Sequence, residues 1–304
     1  VTKILGISGK KGSGKNTAAN FIVGLHMIKL ELIPTGKDGT PTGKFIITPK
    51  GQLWVSHLRV GNEYQEINGV IDIANPDPDL RLYLMENLHP FIKLYSFADA
   101  LKYMCIGVLG LTEEQCYGTD DDKNSLTHLL WENMPGVITP ETAENAFGNM
   151  LCDWDTDIKG HHYGSDQMLK GFAKIGLTYH EPGQMTAREV LQFVGTGIFR
   201  KMYSKVWCDT LRRTIKAENP KYAIVYDVRF EDECDMIHEE GGKVLRLPRQ
   251  PFEDSHESET ALDDYQGFDV TLLNEVDKIG YQNQQLYATL GPMGFIPRIE
   301  QYAK

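Results

Sequence analysis

Two groups of residues in this sequence have the types and spacing to work on phosphate. The first is Gly9-Lys10-Lys11-Gly12-Ser13-Gly14-Lys15-Asn16-Thr17. An apolar strand pattern runs into it and a helical pattern runs out of it, the setting in which a glycine-rich loop cradles phosphate. The glycines let successive backbone N–H groups point inward. Lys15 adds a positive charge near the β and γ phosphates, and the start of the helix adds its dipole. The second group is Ala223-Ile224-Val225-Tyr226-Asp227, an apolar strand ending in a carboxylate, with Arg229 and Glu233 close behind. A carboxylate at that place can hold magnesium, directly or through water, or can simply cap the following turn.

The position after the lysine departs from the usual pattern. Asn16 stands where a serine or threonine normally offers a hydroxyl to magnesium, and Thr17 follows one place later. An amide meets magnesium only through its oxygen or a water. The G-K-x-T form resembles the loops of nucleoside monophosphate kinases more than those of GTPases or motors. The sequence also has no N-K-x-D guanine-reading motif.

A third group is Thr186-Ala187-Arg188-Glu189, leading to Gly195-Thr196-Gly197 and Trp207. Arginine is disfavoured near a helix start, so Arg188 calls for an anion or a neighbouring carboxylate. Trp207 on an amphipathic helix reads as core or as a ligand platform. Other clusters are weaker. Asp153-x-Asp155-x-Asp157 has Ile158 and Gly164 where a calcium loop needs glycine and glutamate. His161-His162 has no ligands at zinc spacing. Asp120-Asp121-Asp122 reads as a solvated loop. His256 contacts nucleotide or pairs with Glu257 or Glu259.

These residues need elements to position them. A strand is expected over residues 3–7, a glycine turn over 8–14 and a helix over 15–29. Residues 33–75 are rich in Gly, Thr and Pro, with β-type runs at 45–48, 53–55 and 64–67 between turn signals, and read as a small peripheral β-hairpin insertion. A strand at 91–97 and a helix at 98–109 follow. Thr112 with Gln115 forms a capping box that opens another helix. Residues 126–183 are expected to be irregular or partly helical. Thr186 and Glu189 cap a helix over 187–193, the Gly195-Thr196-Gly197 turn follows, and a helix runs over 204–217. A strand at 222–226, a helix at 231–240 closed by Gly241-Gly242, strands at 243–247 and 270–273, and a helix at 282–290 complete the pattern. Alternating strands and helices predict an α/β fold, a parallel sheet with helices on both faces.

Composition agrees. With 41% apolar and 24% charged residues among 304, the chain matches neither a disordered nor a collagen-like protein. At roughly 150 residues per domain it is two domains, or one large domain with insertions. Its 31 basic residues against 42 acidic ones leave a net charge of −11, which gives no field to gather nucleic acid or anionic membrane. Five scattered cysteines without C-x-x-C, Cys105, Cys116, Cys152, Cys208 and Cys234, point to a reducing cytoplasm. No signal peptide is expected. The longest apolar run, 21–33, is broken by His26, Lys29 and Glu31, so no membrane span is expected.

Taken in order, several segments resemble the phage-type deoxynucleoside monophosphate kinases. They are the loop from Ser8 to Thr17, Phe97-Ala98-Asp99-Ala100-Leu101-Lys102, Arg188 with Leu191-Gln192-Phe193-Val194-Gly195-Thr196, Trp207, Asp227-Val228-Arg229-Phe230 with Glu233, and His256-Glu257-Ser258-Glu259. Asn16 replaces that family's aspartate. The resemblance implies a P-loop NTPase-like core over 1–30 and 91–304, an acceptor-binding or lid segment around 112–185, and a β-rich insertion over 31–90. It implies phosphorylation of deoxynucleoside 5′-monophosphates with ATP and Mg2+, for phage DNA precursor supply in the host cytoplasm. ATP would meet Gly9, Lys11, Gly12, Ser13, Gly14, Lys15, Asn16 and Thr17. Lys15, Arg188, Asp227 and Arg229 would be catalytic, with Asp227 organising magnesium. Lys102, Arg188, Gly195, Thr196, Trp207, Arg229 and Glu233 would bind the acceptor, and Asp99 is a weaker candidate. The expected partner is the nucleotide substrate, without nucleic acid or membrane, and a homodimer is admitted. Two alternatives stand beside this: another P-loop small-molecule kinase, such as one acting on dephospho-coenzyme A, and a non-catalytic nucleotide-binding module.

Overall fold

The computed structural model describes residues 1–36, 40–142, 172, 174, 176–250, 257–275 and 278–299. They divide into two compact units, residues 1–100 with 203–304, and residues 101–202. In chain order the elements are β1 (Lys3–Ser8), α1 (Lys15–Lys29), β2 (Phe45–Ile47), β3 (Leu53–Val60), β4 (Glu63–Ile71), α2 (Pro78–Asn87), β5 (Ile92–Tyr95) and α3 (Asp99–Gly107). Next come α4 (Glu113–Tyr117), α5 (Asp120–Lys123), β6 (Leu126–Leu130), β7 (Val137–Ile138), β8 (Thr178–Tyr179), β9 (Gln184–Thr186) and α6 (Ala187–Gln192). The chain closes with α7 (Val206–Glu218), β10 (Tyr222–Val228), α8 (Glu231–Glu239), β11 (Lys243–Arg246), α9 (Glu257–Thr260), β12 (Val270–Thr271) and α10 (Ile279–Leu290).

The first unit is built on a five-stranded parallel sheet in the order β12-β11-β1-β10-β5, flanked by helices. Its inner strands read as near-continuous apolar runs because both faces are covered. β1 is central, and the chain turns to β10 and β5 on one side of it and to β11 and β12 on the other. A strand order that reverses in this way opens a crevice at the carboxyl ends of the strands, and the glycine loop leaves β1 at that end.

β2, β3 and β4 form a separate antiparallel sheet, with Gly61 and Asn62 as the turn between β3 and β4. The hairpin expectation holds, but β3 is longer than its 53–55 run, and the sheet is not peripheral. Phe45, Leu53, Val55, Leu58 and Ile71 share one apolar cluster with Phe21, Ile22 and Leu25 of α1 and with Leu286 and Leu290 of α10. From Phe21 to Ile28, α1 is buried on every side, as a stretch apolar nearly all round must be. Excising residues 33–75 would uncover it.

Other segments depart from expectation. Pro78–Asn87 is a helix announced by Asp77, whose side chain accepts from Leu80 N (2.9 Å), and by Pro78 at the first helical position. In the second unit the 126–183 stretch is more ordered than expected: β6 pairs antiparallel with β9, and β7 pairs parallel with β8. Both pairings are too short for their alternation to stand out in sequence. Asp120-Asp121-Asp122 is a short helix rather than a loop, with Thr119 and Asp122 as its capping box. Gly195-Thr196-Gly197 is not a turn. It lies inside a π-helical continuation of α6, Phe193–Arg200, and there Gly195 meets Leu101 so closely that a Cβ would lie 2.6 Å from Leu101 Cδ2. Among the described residues Cys105, Cys116, Cys208 and Cys234 are buried and form no disulfide. Among the described residues no helix is long and apolar enough to cross a membrane.

Candidate active site

The loop after β1 is shaped by its glycines. Gly12 and Gly14 take φ values of 73° and 95°, in the region that favours glycine. A Cβ at Gly9 would come within 2.3 Å of Ser13 Oγ and 2.7 Å of Leu247 O. Ser13 N donates to Lys10 O (3.1 Å), and Ala18 N donates to Gly14 O (3.0 Å), which starts α1.

Lys15 opens that helix and folds back over the loop, donating from Nζ to Gly9 O (2.5 Å) and Lys10 O (2.9 Å). It is only 8% exposed. Burial lowers its ammonium to about 7; Arg229 and Arg246 push the same way, and Asp227 opposes them. Burial is the main cause of the low value, and the Asp227 carboxylate offsets it only in part.

Asp227, at the end of β10, accepts from Ser96 Oγ (2.5 Å), Phe97 N (2.9 Å) and Ala98 N (3.3 Å). The carboxylate therefore ties β10 to the turn after β5 and is held in one orientation. Asp99, at the first position of α3, accepts from Ser96 N (3.1 Å) in the same turn. Arg229 is held twice. Its backbone N–H donates to Glu233 Oε2 (2.7 Å), which also takes the Phe230 N–H (3.2 Å), and its guanidinium pairs with Glu259. Glu233, 2% exposed, thus fixes the Arg229 main chain. Glu259 also accepts from Lys11 N (2.7 Å), so one carboxylate spans the loop and the arginine.

Sequence reasoning missed several residues of this cluster. Arg246 donates to Ser8 Oγ (2.9 Å), and Arg249 donates to Gly12 O. Asn274 Nδ2 donates to Ser13 O (2.5 Å), and the Gln282 amide lies beside Gly14. Asn274 and Gln282 are 8% and 3% exposed. Ser13 Oγ, Asn274 Oδ1 and Gln282 Nε2 are buried without a hydrogen-bond partner, an arrangement that buried polar atoms rarely keep unless a ligand or water completes it. The available sequence signal was weak: Asn274 follows a strand and Gln282 sits in a helix, without a motif around them. Thr17 turns its Oγ1 toward Gly51.

The remaining predicted residues lie elsewhere in the chain. Trp207 is buried near the start of α7 in the first unit. In the second unit Arg188 donates from Nε to Asn124 Oδ1 (2.9 Å) and from Nη2 to Asp120 Oδ1 (2.7 Å), while Glu189 caps its own helix through Thr186. Asp120 is therefore the carboxylate that Arg188 required. Lys102 Nζ stands 4.3 Å over the Tyr117 ring. Gly195 and Thr196 belong to the π-helical turns. Asp153, Asp155, Asp157, His161, His162 and His256 lie outside the described residues.

No protein-family profile matches the chain. Over 199 residues it is 29% identical to a protein of Acanthamoeba polyphaga mimivirus provisionally named deoxynucleotide monophosphate kinase, a match that covers 63% of this chain and 79% of that protein.

Proposed function

We propose that this chain is a nucleotide kinase that moves the γ-phosphoryl group of ATP to a deoxynucleoside 5′-monophosphate. The observation that carries the reading is the glycine loop at the carboxyl end of the central strand, whose buried Lys15 has Arg229 and Arg246 for neighbours. Such a cluster suits a reaction whose reactants are both polyanions. The name of the mimivirus relative supports the same chemistry.

The reaction needs no strong base. A phosphate oxygen of the acceptor attacks the γ phosphorus in line, a new P–O bond forms, and the bond to the β–γ bridging oxygen breaks to release ADP. Catalysis is then positioning and stabilisation of charge on the transferring oxygens. Lys15, swinging from Gly9 O and Lys10 O, would meet the β and γ phosphates, with the loop N–H groups around them. Arg229 would leave Glu259 to bind the transferring group. Arg188 and Lys102 are proposed to hold the acceptor, as the resemblance implies.

Among the described residues no three His, Cys, Asp or Glu side chains gather as a metal cluster. Magnesium in phosphoryl transfer keeps several waters and needs only one or two carboxylates beside the phosphates, and the fixed Asp227 carboxylate suits a contact through water. Bound there, the ion would neutralise charge on the phosphates.

The test is ATP consumption with matched deoxy and ribo monophosphates of each base. Turnover with the deoxynucleotides and a kcat/KM advantage for deoxyribose support the reading. Equal use of both sugars would replace it with a general nucleotide kinase, and no turnover with any of them would overturn it.

A further inference from the structure

One cleft in the first unit has no part in the chemistry above. It measures about 130 Å³ and lies between the first turns of α1, the β2–β3 turn and the sheet surface beneath. Leu94 and Tyr226 form its floor, and Asn16, Asn20, Gln52 and Val70 stand around it.

The cleft is built rather than left over. Leu94 and Tyr226 belong to β5 and β10, which pair in the parallel sheet. Such strands are normally covered on both faces, yet these two side chains are only half-buried. The β2–β3 turn is pinned to α1 nearby, where Asn20 Nδ2 donates to Gly51 O (2.9 Å). Gly51 has φ 77°, and a Cβ there would lie 2.3 Å from Thr17 Oγ1, so the turn sits at a distance that glycine alone permits. The polar groups around the apolar floor are the amides of Asn16, Asn20 and Gln52, with Lys50 and Asp72 adding one charge of each sign.

We propose that this cleft takes the nucleobase of a nucleotide or nucleoside, with the β-rich insertion as one of its walls; the inference rests on the nucleotide kinase reading. At about 130 Å³ the cleft is somewhat smaller than the cavity of about 150 Å³ that encloses a benzene ring, but the exposed Asn16, Gln52 and Val70 leave it open, so a base can be held there without being enclosed. An aliphatic and an aromatic side chain make a floor on which any base can lie flat. Asparagine and glutamine amides match the donor and acceptor pattern of base edges. The cleft begins at the residue after Lys15, so the phosphate and ring of one molecule can be shared between loop and cleft. The base comes either from the acceptor substrate or from a free effector nucleoside.

Val70→Trp narrows the cleft from an exposed strand position, and Gln52→Ala removes one amide at the surface. Thermal melts confirm that each variant is folded. Steady-state rates with a panel of deoxynucleoside monophosphates and calorimetry with phosphate-free deoxynucleosides then read the site. If the base belongs to the acceptor, Val70→Trp lowers acceptor kcat/KM by about tenfold or more and Gln52→Ala changes the ranking of bases, while the KM for ATP stays within about twofold. If it belongs to an effector, acceptor kinetics are unchanged, and nucleosides bind the wild type but not Val70→Trp. Wild-type kinetics and unchanged nucleoside binding in both variants overturn the inference while leaving the kinase reading intact. A wild type that binds nucleosides in the cleft but phosphorylates no monophosphate does the reverse.

Discussion

Replacing Lys15 with methionine should stabilise the folded protein at neutral and mildly acidic pH while ending its use of a phosphate donor. The ammonium falls from 10.5 in a free lysine to about 7 here, with burial the first cause. At about 1.36 kcal/mol per unit, the fold carries a penalty of roughly 5 kcal/mol for keeping this charge. Methionine removes the charge but leaves Gly9 O and Lys10 O without their donor, and each lost charged hydrogen bond costs about 1.5 kcal/mol. The net gain is about 2 kcal/mol, or roughly 4 °C in Tm at most for a chain of this size.

The pH dependence gives the sharper test. Below the folded value of about 7 both states carry the proton and the penalty is complete. Between about 7 and 10.5 the unfolded chain binds more protons than the native one, so wild-type stability rises with pH through this window and the penalty fades. The advantage of Lys15→Met over wild type is therefore largest near about pH 6 and shrinks toward about pH 10. Denaturant titrations of both proteins across that range measure it. ATP should stabilise only the wild type, and above neutral pH its binding should draw in a proton, because the phosphates restore the charged lysine. A variant less stable than wild type at the acidic end, or an advantage that grows with pH, would refute the reasoning.

Asn274→Asp keeps the side-chain shape but loses the donor to Ser13 O. The KM for ATP should rise by about tenfold while kcat moves far less, and activity should recover as falling pH protonates the new carboxyl; a wild-type KM would remove Asn274 from loop positioning. Glu259→Gln takes away the charge shared between Lys11 N and Arg229, so nucleotide should bind about threefold or more tightly. Unchanged affinity by calorimetry would show that this carboxylate does not compete with phosphate. His26, buried on α1 with Nε2 at 2.9 Å from Phe295 O, is lowered to about 4 by burial, with Lys221 adding to the effect. The unfolded histidine gains its proton near 6.5. Stability should therefore drop by about 3 kcal/mol as pH falls from 6.5 to 4, and His26→Gln should flatten that limb in denaturant titrations; equal slopes would contradict the assignment.

The parts of this molecule that were legible in sequence share a physical property: their signal is local. β1, the glycine loop and α1 announce themselves because backbone freedom, strand apolarity and helix period all change within a few residues. α8 and its closing glycines are legible for the same reason. The order of the parallel strands was not, since nothing within β1 says that β10 and β11 become its neighbours. Nor was the burial of α1 by the β-rich insertion, although the clue was present: a helix apolar on every side needs more than one sheet face to cover it.

The site divides along the same line. Lys15 and Asp227 stand at element ends that sequence can locate. The groups that hold them come from far along the chain, Ser96 to Asp227, Glu259 to Lys11 and Arg229, Asn274 to Ser13. Their residue types are ordinary, and only proximity gives them a role. Arg188 shows how a correct physical argument can stop one step short. A cation near a helix start does need an anion, and Asp120 is one. That pairing accounts for the position of Arg188 in the second unit, whereas Lys15, buried beside Arg229, Arg246 and Asp227, donates to carbonyls of its own loop. The glycine loop and the burial of Lys15 beside these charged groups are together the reason the loop is proposed as the phosphate site.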